Sequence, residues 1–342
     1  MNESVIPDEK RERLRICLPT STGGHLAQLM ALDDWLNEHE CLWICIDRAD
    51  SSSTLKGRRV IEHFHPTTRN LWNAVRNVFL ASKVLRRERP DLVLSTGAGV
   101  AIPFFFIARI LGIKTAYIEV VDRIDSPTLS GRLARLLGAK MFTQWSSQER
   151  FYPGARTVGP LVHFPKPPED AASLSRKRFT KGSIFVTVGT DKHQFNRVIR
   201  WTERWVRCHG FTGDVVVQSG HSDVEVGEFK AQPFFGKSEV RAMIERADVV
   251  ITHGGPGAIS DVLAMGKVPV VLPRNPSLGE HVDGHQQRFV QHLSERGIVR
   301  WNDSYDDFEE AVLRSFGVTF DPYHAGGNAS RVLAEAINSL VR

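Results

Sequence analysis

Several short segments of the chain set glycines and polar side chains at the end of an apolar run, a pattern that brings a backbone close to a ligand. Thr252-His253-Gly254-Gly255-Pro256-Gly257-Ala258-Ile259-Ser260 leads from a β-branched run into a helical pattern. The N–H groups of Gly257, Ala258 and Ile259 are expected at a helix start, pointing into a cleft. There the helix dipole and free amides can hold a diphosphate without requiring a metal. Gly189 and Thr190 follow the run Ser183–Val188 in the same way and offer a glycine and a hydroxyl. Glu280, Asp283 and Gln286 lie in the acid- and amide-rich segment Gly279–Gln287 and suit the hydroxyls of a ribose or another sugar. Asp283 is equally a good helix cap.

The first half repeats the arrangement. Thr22, Gly23 and Gly24 precede His25 between a predicted strand and helix, a setting suited to a phosphate. Imidazole titrates near neutrality, so His25 is a candidate general base; the alternative is a helix-start histidine bonded to a backbone group. Gly97 and Gly99 end another predicted strand, as a cleft wall or a plain tight turn. Glu119 heads a cluster with Asp122, Arg123, Asp125 and Ser126, and Arg132 follows. A carboxylate here could act as a base, and Arg123 or Arg132 could hold a phosphate. Ordinary surface ion pairs are the alternative.

These loops need rigid elements to place them. Short apolar runs predict strands at Leu14–Leu18, Leu42–Ile46, Asp91–Ser95, Lys114–Glu119, Lys140–Thr143, Ser183–Val188, Asp214–Gln218, Asp248–Thr252 and Val268–Leu272. Helical spacing predicts helices at His25–Asn37, Arg69–Arg87, Ala101–Leu111, Leu129–Leu137, Gln194–Cys208, Lys237–Arg246, Ala258–Met265, Gly284–Glu295 and Ser330–Val341. The alternation predicts an α/β fold of two doubly wound, Rossmann-like domains facing a central cleft. Their expected limits are 1–160 and 183–342, with a proline-rich, basic linker over 161–182, and the last helix is expected to be able to cross back. A dinucleotide-binding dehydrogenase is disfavoured, because the G-x-G-x-x-G spacing is missing.

Composition narrows the class. The 342 residues are 42% hydrophobic and 24% charged, which is ordinary for a soluble globular chain. Four cysteines without C-x-x-C spacing exclude a disulfide framework and make a zinc site improbable, and they read as core thiols of a reducing compartment. The polar start predicts no secretory signal, and no apolar run is long enough to span a bilayer. Residues 1–160 hold 22 Lys and Arg against 17 Asp and Glu, and the remainder 22 against 22, so the first half carries the excess. That excess concentrates at Arg69, Arg76, Lys83, Arg86, Arg87 and Arg89, interleaved with Leu71, Trp72, Val75, Val78, Phe79 and Leu85. The helix either buries its apolar stripe in the domain or lies on anionic lipid headgroups. No recognition helix, zinc finger or aromatic-basic sheet motif supports nucleic acid as a partner.

Taken in order, the motifs resemble GT-B nucleotide-sugar glycosyltransferases, within them the lipid-carrier transferases related to the peptidoglycan N-acetylglucosaminyltransferase. Ser21–His25, Pro90–Leu94 with Gly97 and Gly99, and Glu119 to Arg132 resemble the acceptor-side subunit of the two-subunit dolichyl-diphosphate N-acetylglucosamine transferase. Phe185–Thr190, His253–Gly255 and Asp283–Gln286 resemble its donor-binding subunit, here on the same chain. Leu272–Asp283 resembles bacterial exopolysaccharide or capsule transferases. The resemblance implies inverting transfer from a UDP-sugar to a polyprenyl-diphosphate-linked sugar at the cytoplasmic face of a membrane, with no metal. It implies His25 as base with Glu119 in reserve, and a membrane-facing surface at Arg69, Trp72, Arg76, Lys83, Arg86 and Arg87. A UDP-sugar 2-epimerase of the same fold and a non-catalytic UDP-binding partner protein are the alternatives.

Overall fold

The computed structural model describes residues 13–67, 70–168, 179–223, 227, 229–322 and 328–341. Arg69 and residues 169–178 of the expected linker lie outside them. The first half contains β1 (Arg15–Pro19), α1 (Gly24–Met30), α2 (Asp33–Leu36), β2 (Glu40–Ile44), α3 (Ala49–Thr54), β3 (Arg59–Ile61) and α4 (Leu71–Glu88). There follow β4 (Leu92–Ser95), α5 (Ala101–Ile110), β5 (Lys114–Ile118), α6 (Leu129–Leu136), β6 (Lys140–Thr143) and β7 (Arg156–Thr157). The second half contains β8 (Ser183–Thr187), α7 (Asn196–His209), β9 (Asp214–Gln218), β10 (Lys230–Gln232), α8 (Lys237–Arg246), β11 (Val249–His253) and α9 (Pro256–Ala264). It closes with β12 (Val270–Leu272), α10 (His285–Glu295), α11 (Tyr305–Ser315) and α12 (Ala329–Val341).

The strands form two parallel sheets, ordered β3-β2-β1-β4-β5-β6-β7 and β10-β9-β8-β11-β12. Each order reverses direction once, between β1 and β4 in the first sheet and between β8 and β11 in the second. A crevice opens at the carboxyl ends of the strands flanking such a reversal. The loops placed there are those after β1, β4, β8 and β11, which carry the glycine motifs.

Central strands are buried on both faces, as parallel sheets require. Trp43, Phe142 and Leu94 fill one face of the first sheet, and Phe104, Phe105 and Tyr117 fill the other. Helix α12 returns to the first domain: Leu333 and Ile337 join Ile16 and Trp43, and Lys114 Nζ donates to the Leu340 carbonyl at 2.6 Å. A further apolar cluster crosses between the halves, where Val121 and Ile124 meet Ile259, Leu263 and Phe289.

The helix expected over His25–Asn37 is instead two short ones. The chain tightens at Leu32, whose N–H donates to Leu29 three residues back, and this keeps Leu29, Leu32 and Leu36 all in the core. Helix α4 buries only the Val78 and Leu85 end of the apolar stripe that periodicity suggested. Its buried side is Asn73, Asn77, Ala81, Val84 and Leu85. The asparagines hold the preceding loop: Asn77 exchanges two hydrogen bonds of 2.9 Å with the backbone of Phe64, and Asn73 donates to Pro66 at 3.1 Å. Leu71 is left 86% exposed, and Trp72 and Phe79 are each 71% exposed.

Candidate active site

His25 opens α1 behind the turn formed by Thr22, Gly23 and Gly24. Its Nδ1 lies 3.0 Å from the Thr96 carbonyl, which can only accept, so Nδ1 carries the proton and Nε2 presents a lone pair. Burial pushes the pKa of the ring below its usual value, and the neighbouring Asp122 opposes that shift. Gly97 makes the fit possible: its φ is +116°, and a Cβ there would stand 2.8 Å from the Tyr117 hydroxyl and 3.2 Å from His25 Cε1. Gly99 lies against the backbone of Thr67.

On the opposite wall, β11 runs into Gly254 and Gly255 and then α9, with Gly255 at the cap and Pro256 in the first turn. Gly257 and Ala258 occupy positions whose N–H groups have no partner within the helix. Ile259 is a correction to the sequence reading: its N–H donates to the Gly255 carbonyl at 3.1 Å and its side chain is fully buried. His253 fits between Gly189 and Gly255. A Cβ on Gly189, whose φ is +78°, would stand 2.5 Å from the ring. Burial, aided by Arg274, lowers the His253 pKa to about 3, so the ring is neutral.

The two walls meet closely. A Cβ on Gly23 would lie 3.8 Å from Thr190 Oγ1, and one on Gly257 would lie 3.9 Å from Ala27 Cβ. Two ion pairs also cross the cleft, Arg123 to Asp283 at 3.0 Å and Arg288 to Asp125 at 2.8 Å, and His285 Nε2 lies 3.4 Å from Asp122.

Two acids have other work than the sequence suggested. Glu119 is fully buried and accepts from the N–H groups of Val120 (3.0 Å) and Thr128 (3.1 Å) and from the Tyr152 hydroxyl. Burial raises its pKa, and the buried carboxyl anchors the start of α6 through the Thr128 N–H. Glu280 is gripped by Arg197 through two bonds, of 2.8 and 2.9 Å, and accepts the Asn275 N–H at 2.8 Å, so its oxygens are committed within the protein. Gln286 is buried and accepts the Arg274 N–H at 3.2 Å. Arg132 is exposed on α6, whereas Arg123 stands at the junction of the halves.

Sequence reasoning did not single out Arg274 or Thr96. Arg274 is fully buried, and its guanidinium donates to the carbonyls of Val188 (2.8 Å), His193 (2.7 Å) and Glu280 (3.0 Å). A lone arginine after an apolar strand carries no sign that three carbonyls will converge on it.

Residues 183–319 match the glycosyltransferase family 28 C-terminal domain, and residues 45–161 match the family described as oligosaccharide biosynthesis protein Alg14 like. The chain has the GT-B fold, with one of these matches in each half. A protein of Synechocystis, named UDP-N-acetylglucosamine–N-acetylmuramyl-(pentapeptide) pyrophosphoryl-undecaprenol N-acetylglucosamine transferase, is 24% identical over 84% of this GT-B chain and 83% of its own. The crystal structure of MurG from Acinetobacter baumannii superposes with a TM-score of 0.61 at 15% identity, covering 95% of this chain and 99% of that one. The fold is shared more widely: UDP-GlcNAc 2-epimerase from Neisseria meningitidis superposes with a TM-score of 0.60 at 12% identity, over 95% and 100% of the two chains.

Proposed function

We propose that this GT-B protein transfers a sugar from a UDP-sugar to a hydroxyl of a saccharide carried on a polyprenyl diphosphate, with inversion at the anomeric carbon. The observation that carries the reading is the Nε2 lone pair of His25, held by Thr96 in a loop that faces Thr190 across the cleft. The cyanobacterial relative's name makes UDP-N-acetylglucosamine the first donor to test and an undecaprenol-linked saccharide the first acceptor.

His25 Nε2 takes the proton of the acceptor hydroxyl as its oxygen attacks the anomeric carbon. The bond to the diphosphate oxygen breaks on the opposite face through an oxocarbenium-like state, and UDP departs. The charge growing on the diphosphate is met by the amides of Gly257 and Ala258 and by the start of α9. Gly189, Thr190, Gly254 and Gly255 let the donor approach the backbone, and Thr22, Gly23 and Gly24 do the same for the acceptor side. This sequence of steps routes nothing through a metal or a cofactor.

The acceptor is a lipid, and α4 supplies the surface to meet it. Among the described residues no helix is long and apolar enough to cross a membrane. Instead Leu71, Trp72, Val75 and Phe79 share the outer face of α4 with exposed Arg76, Lys83, Arg86 and Arg87, and Phe106 and Ile110 are exposed on α5, which packs against α4. The reading places the protein peripherally on the cytoplasmic face, in assembly of a lipid-linked glycan such as an exopolysaccharide or capsule.

The test is transfer of label from a panel of UDP-sugars, one at a time, to extracted polyprenyl-linked acceptors in the presence of excess EDTA. Label entering the organic phase from one donor is expected. Epimerised UDP-sugar in place of labelled lipid would replace the reading with the epimerase chemistry of the same fold.

A further inference from the structure

A group of side chains at the junction of the two halves has a different chemistry from the phosphate loops beside it. His281, Asp283 and His285 each turn a donor atom toward the others, with all three atoms within 4.8 Å of one another. The two rings meet edge to face, with centroids 4.5 Å apart. His281 Nδ1 lies 3.9 Å from Asp283 Oδ1, and His285 Nδ1–H donates to that same oxygen, so ligation through this nitrogen moves the ring proton to Nε2, beside Asp122. A tetrahedral zinc ion with bonds of about 2.0–2.2 Å needs its ligands about 3.3–3.5 Å apart, so small side-chain rotations suffice.

The surroundings of the three groups argue beyond their proximity. Both imidazoles turn the far nitrogen to a carboxylate: His285 Nε2 lies 3.4 Å from Asp122, and His281 Nε2 lies 3.9 Å from Asp191. Such outer carboxylates fix the tautomer and raise the basicity of metal-binding histidines. The Asp283 N–H points at His281 Nδ1 from 3.4 Å, so that nitrogen already presents a lone pair. Asp191 is itself held by His193, and the second oxygen of Asp283 is held by Arg123.

We propose that His281 Nδ1, Asp283 Oδ1 and His285 Nδ1 form a binding site for one divalent transition-metal ion of the zinc class, with Asp122 and Asp191 as its outer shell. Two imidazoles and one carboxylate are a borderline donor set that suits zinc, cobalt or nickel over magnesium or calcium. Three protein ligands leave a fourth position open to water. Asp122 comes from the first domain and the three ligands from the second, so an ion here stiffens the closed arrangement of the cleft. The inference stands apart from the transfer reading, because binding is measured without turnover.

The experiment is calorimetric titration of chelator-treated, full-length protein with ZnCl2, paired with absorption spectra on CoCl2. One equivalent of zinc is expected, with a rise in Tm and cobalt bands of a low-coordinate nitrogen and oxygen site. H281N, D283N and H285N should each abolish stoichiometric binding. D122N and D191N leave every ligand in place and should weaken zinc about 10-fold to 100-fold. These two variants keep the test decisive should a ligand variant fold poorly. No zinc bound to the wild type, or full affinity retained throughout both sets of variants, would overturn the assignment.

Discussion

His25 and Thr96 hold one another in both directions, each side chain bonded to the other's backbone carbonyl. His25 Nδ1–H donates to the Thr96 carbonyl at 3.0 Å, and the Thr96 hydroxyl donates to the His25 carbonyl at 3.0 Å. Because the ring is bonded through a backbone carbonyl, the tautomer is set without a carboxylate partner. Burial lowers the pKa, and protonation at Nε2 removes the lone pair, so activity falls as the pH drops through the folded pKa. The acid limb of kcat/KM is expected below pH 6.5, the ordinary imidazole value. H25Q should lower kcat about 10²-fold to 10⁴-fold with a smaller effect on KM. An acid limb well above 6.5, or near-normal kcat in H25Q, would remove His25 from the role of base.

The outer face of α4 makes the second prediction quantitative. Transferring a large apolar side chain out of water is worth about 1.5–3 kcal/mol, and each Lys or Arg near an anionic surface adds about 1 kcal/mol. Replacing Trp72 and Phe79 together by serine should weaken sedimentation with anionic vesicles at least about tenfold, since about 1.4 kcal/mol is a factor of ten. Replacing Lys83 and Arg86 by alanine should weaken it at low salt and have little effect at high salt, where charge is screened. Unchanged sedimentation of both variants would show that this face meets something other than lipid.

The same helix shows where sequence reading succeeds and where it stops. Apolar runs such as Lys140–Thr143 and Asp214–Gln218 are strands with those same limits, because a fully buried parallel strand writes its burial directly into the sequence. Edge strands β3 and β10 went unseen, since their residues are charged or half-exposed and show no apolar run. Helix α11 was also missed, although Ser304 and Asp307 form the capping box at its start. Periodicity located α4 but not its buried side: Asn73 and Asn77 face inward because the loop at Phe64 and Pro66 needs hydrogen-bond partners, a tertiary requirement that no local pattern records. The glycine loops were legible for the opposite reason, since a close backbone approach demands glycine itself. The internal partners of Glu119, at a strand end, and of Glu280, in the loop before α10, are not legible in the sequence, because an acid looks the same whether it meets a ligand or a neighbouring side chain or N–H group.

Gly189 offers a test of that glycine argument. Its positive φ strains any other residue by about 1–3 kcal/mol, and a Cβ would also strike the His253 ring. G189A should therefore lower both Tm and UDP affinity. Gly57 is the control: it has a φ of +80° but nothing within 4 Å of an added Cβ, so G57A carries the backbone strain alone. Equal losses in the two variants would show that the contact with His253 contributes nothing.

Arg274 joins the two segments that form the donor side. Its guanidinium takes the carbonyls of Val188 and His193 from the loop between β8 and α7, and that of Glu280 from the segment before α10. The ring of Phe195 packs beneath it, with the guanidinium carbon 4.9 Å from the ring centroid. The nearby charges of Asp191 and Glu280 favour the cation, whereas burial opposes it. In R274M the side chain keeps its bulk but leaves three carbonyls without their donor, each costing about 1–3 kcal/mol if it stays dry. The loss should exceed about 2 kcal/mol in urea unfolding, and UDP affinity should fall with it as Gly189 and Thr190 lose their anchor. R274K restores one charged donor group that can reach only some of the three oxygens, so it should fall between wild type and R274M. If R274M unfolds at the same urea concentration and binds UDP as wild type does, the loops are held by the apolar packing beneath them, and the buried arginine positions nothing.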